Sequence, residues 1–200
     1  MRAIAVMAVL LTAAPAGAAE LLSVSVVHDD GTYTMTSVTW FDAPRLGVFD
    51  VLTDYSNFRA ISSVYTDSRF ESPAEDGTPR VFTQVEGCVL FFCQTMERLE
   101  RLENSADDTI RTVVEPNNSD FHHSEATWQL TDERGGTRVV YQVVMKPAFW
   151  VPPVIGPYMM KRKLAKGGED AIQRIERLAN ASTADAASLR ARGLSGFETL

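Results

Sequence analysis

Residues 149–180 constrain the fold most, because this stretch combines unusual length with a regular apolar pattern. Pro152 and Pro153 stand at its start, where a missing N–H costs a helix little. From Val154 onward the apolar residues recur mostly at steps of three and four, which is the period of one helix face. The pattern therefore predicts a long C-terminal helix that needs a broad apolar surface on which to pack.

The residues before this helix predict such a surface, because alternating side chains and regularly spaced turns are typical of antiparallel strands. Residues 21–27 alternate weakly, and two short helical segments lie between residues 42 and 61, the first with Asp42 as its N-cap. The segment 91–103 has apolar residues three apart, which would suit a helix, but its neighbours pair most simply if it is a strand. Strands are predicted at 33–41, 64–71, 80–89, 91–103, 110–115, 122–130 and 138–146.

Residues 1–19 have the features of a signal peptide. Arg2 precedes an apolar run that is too short to span a bilayer stably, and the small residues Ala16-Gly17-Ala18 follow it; an uncleaved anchor is the alternative. We therefore expect an exported protein, periplasmic if the source is Gram-negative and otherwise secreted, with no integral membrane segment in the mature chain. The rest divides into one domain at 20–180 and a flexible tail at 181–200.

Export bears on the two cysteines, Cys88 and Cys93, because an oxidising compartment favours disulfides. Their spacing suits a bridge across a tight bend between strands, and two buried free thiols are the alternative. A redox pair is disfavoured because the spacing is not C-x-x-C. Zinc is disfavoured because there is no second pair of cysteines.

The formal net charge of −7 argues against nucleic acid as a partner and against broad binding to an anionic membrane. One basic cluster, residues 161–163 with Lys166, is more typical of a solvated helix face than of a phosphate-binding site. A transient membrane contact is thus the only membrane role that we retain.

Several short motifs follow one another in a recognisable order between residues 34 and 179. They are Ala43-Pro44, Val48-Phe49, Val51-Leu52, Asp54-Tyr55, Phe58, Trp128-Gln129-Leu130, Gly136-Thr137-Arg138-Val139, Tyr141 and Pro152-Pro153. In this order they resemble the SRPBCC (START/Bet v 1-like) superfamily, in particular its bacterial polyketide cyclase/dehydrase and coenzyme-Q-binding START-like branch. The resemblance implies an α+β helix-grip fold, in which a curved antiparallel sheet wraps around one long C-terminal helix. It also implies two short helices after the first strand and an apolar cavity between sheet and helix.

The implied cavity would be lined by one face of the strands and one face of the helix. Because strand side chains alternate, an inward Trp128 would place His122 on the same face. An ordinary filled core produces the same apolar pattern and is the alternative. The expected ligand-binding residues are Trp128, Tyr141, Phe149, Trp150, Met159, Leu164 and Ile172, with Phe149 and Trp150 at the mouth.

His122 is the only residue that we single out as a weak candidate for a catalytic acid or base, and a structural histidine is the alternative. His123 and Glu125 share the opposite face, but two ligands do not make a site, so no metal is predicted. No dinucleotide-binding, phosphate-binding or nucleophile-elbow motif occurs, so no cofactor is predicted.

Three functions compete for this sequence. The first is an exported binding protein that holds a lipid-like or other apolar or amphipathic small molecule by burying its apolar area. The second, which the resemblance implies, is a cyclase/dehydrase-type enzyme that uses the same cavity and needs a positioned acid or base. The third is an interaction protein with a filled core. The sequence favours the first over the second and does not identify the ligand.

Overall fold

The computed structural model describes residues 18–89, 92–105, 108–151 and 156–191, with the side chains of 88, 89, 92, 104, 105, 156–167 and 186–191 outside the description. Eight strands form one antiparallel sheet in the order β1-β2-β8-β7-β6-β5-β4-β3. The strands are β1 (Glu20–Asp29), β2 (Thr32–Phe41), β3 (Tyr65–Glu71), β4 (Arg80–Val89), β5 (Phe92–Ser105), β6 (Thr109–Val114), β7 (Phe121–Glu133) and β8 (Gly136–Pro147).

Within the described ranges, three α-helices accompany the sheet: α1 (Arg45–Thr53), α2 (Phe58–Ile61) and the long α3 (Gly156–Ala191). Short 3₁₀ turns lie at Tyr55–Asn57 and Pro116–Asn118. The curved sheet and the single long C-terminal helix confirm the predicted α+β helix-grip fold, and the ambiguous segment 91–103 is a strand. Among the described residues, no helix is apolar enough over a sufficient length to cross a membrane.

The main core lies where α1 and α3 meet the sheet. Gly47 of α1 allows a close approach, because a Cβ atom at this position would lie 2.6 Å from the carbonyl oxygen of Ala179 in α3. From α3, Ile172, Ile175 and Ala179 are buried in the same cluster. Its other buried members are Phe41, Ala43, Val48, Leu52, Tyr55, Phe58, Ile61, Val81, Leu102, Ile110, Leu130 and Val139.

The segment between β2 and α1 is held by hydrogen bonds to α3. The Asp42 N–H donates to a carboxylate oxygen of Glu176 at 2.7 Å, and the Asn180 side chain donates to the Asp42 carbonyl oxygen at 2.9 Å. The prediction that Asp42 caps α1 is therefore wrong. Pro44 occupies the N-cap position, without a side-chain hydrogen bond, and the backbone of Asp42 anchors α3 instead.

Two boundaries also differ from expectation. The weakly alternating residues 21–27 belong to a full strand, β1, so the short helices follow the second strand. Its pattern is weak because β1 is an edge strand with an irregularity between Leu21 and Ser23 and with exposed side chains such as Val27. In addition, α3 continues beyond the predicted domain boundary at residue 180 as far as Ala191. Residues 181–191 of the predicted flexible tail at 181–200 are therefore helical, and residues 192–200 lie outside the described residues.

Candidate ligand-binding site on the inner face of the sheet

One end of the inner face, on β2, β8 and β7, is apolar. Met35, Ala126 and Val143 form a buried cluster there, because the register places Met35 opposite Val143 and Val143 opposite Ala126. Trp128 and Tyr141 pack against this cluster with their ring centroids 4.7 Å apart. We call these five residues the apolar end of the site.

The other end of the inner face, on β3, β4 and β5, is polar. Ser68 lies directly opposite Thr83, and Thr83 lies directly opposite Arg98. Neighbouring strands are about 4.8 Å apart, so these three side chains form a row roughly 10 Å long. Glu100, two positions after Arg98 on β5, faces the same side, and we call these four residues the polar end of the site.

The polar end contains buried polar atoms without hydrogen-bond partners in the described part of the chain. They are Ser68 Oγ, Thr83 Oγ1 and Arg98 Nε, and Ser124 Oγ on β7 is a fourth. More than nine-tenths of buried polar groups in folded proteins are hydrogen-bonded, so three unpaired atoms in one row are unusual. The row is thus available to bond another molecule.

Arg98 and Glu100 form an ion pair inside the fold. Arg98 Nε lies 3.9 Å from a Glu100 carboxylate oxygen, which is too long for a hydrogen bond but close enough for strong attraction. The Glu100 side chain is only 2 % exposed, and its carboxylate accepts a hydrogen bond from Thr112 at 3.0 Å. The Arg98 guanidinium also lies close enough to the Tyr65 hydroxyl to oppose the rise in its pKa. Each charge is therefore compensated, but Arg98 keeps an unused donor.

Three tyrosine hydroxyls lie within electrostatic range of this ion pair. Burial raises the pKa of Tyr55, Tyr65 and Tyr141 above the ordinary tyrosine value, and the Glu100 carboxylate adds to the rise in each case. Desolvation lowers the pKa of Arg98, but the attraction of the Glu100 carboxylate outweighs it and leaves that pKa above its usual value. At neutral pH the tyrosines are therefore neutral and Arg98 is charged.

The structure brings together some of the residues expected at the site. Trp128 and Tyr141 are in contact on the inner face, and Ile172 of α3 is buried in the main core. Phe149 is half-buried against Phe121 with ring centroids 6.1 Å apart, whereas Trp150 is 72 % exposed. The side chains of Met159 and Leu164 lie outside the described residues.

The structure places His122 at the surface rather than on the inner face. A register irregularity between Phe121 and His123 adds one residue to β7, which turns Phe121 inward in place of His122. His123 is also exposed, as predicted for the outer face. In the described ranges, no three metal-binding side chains converge on one point.

Cys88 and Cys93 are directly opposite each other on the β4–β5 hairpin. Directly opposite residues in an antiparallel pair have Cα atoms about 4.5–5.5 Å apart, which is within the range of disulfides. The backbone register is thus compatible with the predicted bridge, whereas the Cys88 side chain lies outside the description.

A separate open cleft of about 350 Å³ lies between the α1–α2 segment and α3. None of its lining residues is on the inner face of the sheet, so the cleft does not belong to the site described above. The lining residues are Asp50, Val51, Asp54, Asn57, Ala60, Ile61, Leu178 and Ser182.

Sequence reasoning missed the whole polar end of the site. Arg98 and Glu100 alternate with Leu99, and Leu102 has the same parity as the two charged residues. The burial of Leu102 shows that this parity faces inward, so the charged pair faces inward with it. One sequence feature could have indicated this pair: two opposite charges stand at alternate positions of the strand, on the same face as Leu102.

Comparison with known proteins agrees with this architecture. Residues 32–180 match a family described as polyketide cyclase / dehydrase and lipid transport. No curated protein matches the chain.

Solved structures with the same fold have low sequence identity. Human STARD10 superposes with a TM-score of 0.60 at 9% identity, covering 88% of this chain and 84% of that one. A STAR-related lipid transfer protein from Xanthomonas axonopodis gives 0.55 at 14% identity, covering 76% of this chain and 98% of the solved fragment. The Zhui aromatase/cyclase from Streptomyces sp. R1128 gives 0.53 at 14% identity, covering 82% and 99%. Because the family match spans most of the chain, the protein belongs to the polyketide cyclase / dehydrase and lipid transport family.

Proposed function

We propose that the protein binds an amphipathic small molecule between the inner face of the sheet and α3. The apolar body of the ligand lies against the apolar end, where Trp128 and Tyr141 offer a broad aromatic surface. Its polar end points to the row formed by Ser68, Thr83 and Arg98. Burial of the apolar body supplies most of the affinity, at about 25 cal/mol per Å² removed from water before ordering costs.

The observation that carries this proposal is the buried Nε of Arg98, which has no hydrogen-bond partner among the described residues. In a filled core, each unsatisfied buried polar group costs about 1–3 kcal/mol. Ser68 and Thr83 would add two more such costs in the same row. A ligand oxygen that accepts from these donors removes the cost, so the row is better explained as a binding surface than as core.

The relatives support the same reading. The family description includes lipid transport, and the solved Xanthomonas axonopodis structure is named as a lipid transfer protein. We therefore favour a lipid-like ligand.

We further propose that the protein acts after export, in the periplasm of a Gram-negative source, once residues 1–19 are removed. The signal-like composition of these residues supports this placement. N-terminal sequencing of the exported protein should find a start at Ala19 or Glu20. An intact Met1 on the exported protein contradicts removal and points to an anchored chain.

A cyclase/dehydrase-type enzyme is the second candidate, and the buried Glu100 is the observation that favours it. Glu100 lies beside Arg98 and Thr112 at the polar end, so it is a carboxylate within a ligand-binding face. The Zhui aromatase/cyclase has the same fold. His122 does not serve this role from its surface position. A Glu100→Gln variant that binds the ligand but turns over none of it would favour the enzyme over the carrier.

The proposal is tested first by identifying the ligand. Native mass spectrometry of protein purified from its own compartment should show a bound small molecule, and the purified protein should take up the neutral dye Nile red with a stoichiometry of one. A protein that carries no ligand and takes up no dye has a filled core, and this result overturns the proposal.

A matched pair of double variants then locates the site. Arg98→Met with Glu100→Met removes both charges of the polar end and should weaken ligand binding at least tenfold. Arg111→Met with Glu125→Met removes an exposed ion pair of 2.9 Å on the outer face and should leave binding unchanged. Equal effects of the two double variants contradict the assignment of the site to the inner face.

A further inference from the structure

We propose that Glu100 makes the site selective for ligands whose polar end is uncharged, such as esters, ketones and alcohols, and that it excludes carboxylates and phosphates on the same apolar chain. This inference rests on the proposed function, since it concerns the ligand of the same site. The observation behind it is the pair of opposite charges inside the fold, with Glu100 and Arg98 only 3.9 Å apart.

The polar end is already electrically balanced among the described side chains. Arg98 carries one positive charge and Glu100 one negative charge, and the tyrosine hydroxyls near them are neutral. The other arginines of β3, β5 and β6 take part in exposed or half-exposed ion pairs and do not offset a buried charge. These pairs join Arg69 to Asp67 and Glu71, Arg101 to Asp76, and Arg111 to Glu103 and Glu125.

A third charge at this place would be unfavourable. A ligand carboxylate that reached Arg98 would also come close to the Glu100 carboxylate, and like charges repel strongly where water is excluded. Glu100 cannot move away easily, because it is buried and accepts a hydrogen bond from Thr112. The attraction that Arg98 would offer to an anion is thus already used within the protein.

An uncharged oxygen meets no such repulsion. The unpaired atoms of Arg98, Ser68 and Thr83 can all donate hydrogen bonds. The row can therefore bind an uncharged acceptor atom, and no charge on the ligand is needed. Because the row is roughly 10 Å long, a group with two or more oxygens can use more of it than a single hydroxyl can. An ester or a chain with more than one carbonyl group fits this requirement best.

The inference is tested with two probes that share one chain, methyl dodecanoate and dodecanoate, in competition with Nile red at pH 7.4. The parent protein should bind the ester at least tenfold more tightly than the carboxylate. Glu100→Gln, which keeps the size of the side chain, should bind dodecanoate at least tenfold more tightly than the parent does. Its affinity for the ester should change little.

Two further variants serve as controls. Glu125→Gln removes one negative charge from the outer face, where Glu125 pairs with Arg111, and should leave the ester preference unchanged. Glu100→Asp keeps the charge and should keep the preference. This variant decides the matter if Glu100→Gln fails to fold, because loss of the preference in Glu100→Asp counts against the inference.

The possible failures are distinguishable. If the parent protein binds dodecanoate as tightly as the ester, the inference is overturned while the proposed function stands. If both probes bind but Glu100→Gln and Glu125→Gln change the preference equally, the net charge of the protein is responsible, and the assignment to Glu100 is wrong. If neither probe displaces the dye and the dye itself does not bind, the proposed function falls as well.

Discussion

The two ends of the inner face are built from the same antiparallel sheet but follow opposite rules. At the apolar end, Met35, Ala126 and Val143 are buried in contact with one another, as a stable core requires. At the polar end, the buried Glu100 forms an ion pair with Arg98, and Arg98 Nε has no hydrogen-bond partner among the described residues. The first arrangement stabilises the fold, whereas the second costs stability unless something else binds to it.

The comparison separates residues that stabilise the fold from residues that the proposed ligand site would use. A sheet that grips a helix needs only apolar residues on its inner face, and α1, α3 and the apolar end supply them. A buried ion pair can often be replaced by apolar residues without loss of stability. A role in recognition, as proposed above for Arg98 and Glu100, would explain why this face carries a charged pair instead.

The largest effect is expected from Arg98→Met, because it leaves the buried Glu100 carboxylate without its positive partner. Breaking a buried ion pair typically lowers the free energy of unfolding by about 3–5 kcal/mol. The double variant with Glu100→Met should recover most of this loss, because both charges are then absent. Urea denaturation measures both values. A double variant less stable than Arg98→Met would show that the ion pair stabilises the fold and would contradict the distinction between the two ends.

The next effect concerns the hairpin that carries the polar end. If Cys88 and Cys93 form a disulfide in the exported protein, Cys88→Ser should lower the free energy of unfolding by about 2–3 kcal/mol, which is the chain-entropy value for so short a loop. Non-reducing peptide mapping checks the bridge itself. When both proteins are reduced, the variant and the parent should have the same stability. Two free thiols in the exported parent protein would refute the bridge without affecting the fold.

Truncating a side chain at the apolar end should lower the free energy of unfolding, as it does in a core. The loss should be smaller than in a filled core if a ligand lies beside the side chain. Met35→Ala removes a buried side chain and should lower the free energy of unfolding by about 2 kcal/mol, the low end for such truncations. Val27→Ala on the exposed side of β1 is the control and should change stability by less than about 0.5 kcal/mol. Equal losses at the two positions would mean that Met35 does not belong to a packed core.

Much of the fold could be predicted from periodicity, and the reasons for the exceptions are physical. Apolar and polar residues alternate in 80–89 and 138–146 because each strand has one buried face. In α3 the apolar residues recur with the helical period because one face of the helix packs against the sheet. The alternation of apolar and polar residues in β1 is weak because β1 is an edge strand and buries few side chains. The Asp42 cap was misplaced because a tertiary bond from its backbone to Glu176 decided its role.

The site was harder to predict, because one residue of slip reverses every face of a strand. The irregularity at the start of β7 moved His122 outward, and nothing in the composition of that strand reveals an extra residue. On β5, Leu99 and Leu102 are three residues apart and so lie on opposite faces of the strand. The sequence therefore did not show which face is buried, or that Arg98 and Glu100 point inward. The inward position of Trp128 and Tyr141 could be predicted because the alternation around them is regular.

The smallest effect is expected at Arg101, which lies on the face of β5 opposite to the face that carries Arg98. Arg101 pairs with Asp76 at the surface, and the pKa of Asp76 is lowered to about 2, first by the Thr78 backbone N–H that donates to it at 3.0 Å and then by Arg101. A lowered carboxyl pKa contributes stability above the unfolded value near 3.8, and this contribution is lost as the pH falls towards 2. Arg101→Gln should therefore raise the Asp76 pKa only part of the way to 3.8, because the Thr78 bond remains.

Carboxyl NMR titration of the parent protein and of Arg101→Gln measures this shift directly. Because the pair is exposed, salt should weaken its effect, and ligand binding at neutral pH should be the same in both proteins. Arg98→Met, by contrast, should weaken binding and leave the Asp76 titration unchanged, since Arg98 faces the opposite side of β5. If Arg101→Gln weakened binding as strongly as Arg98→Met, the outer and inner faces of β5 could not have the separate roles assigned to them.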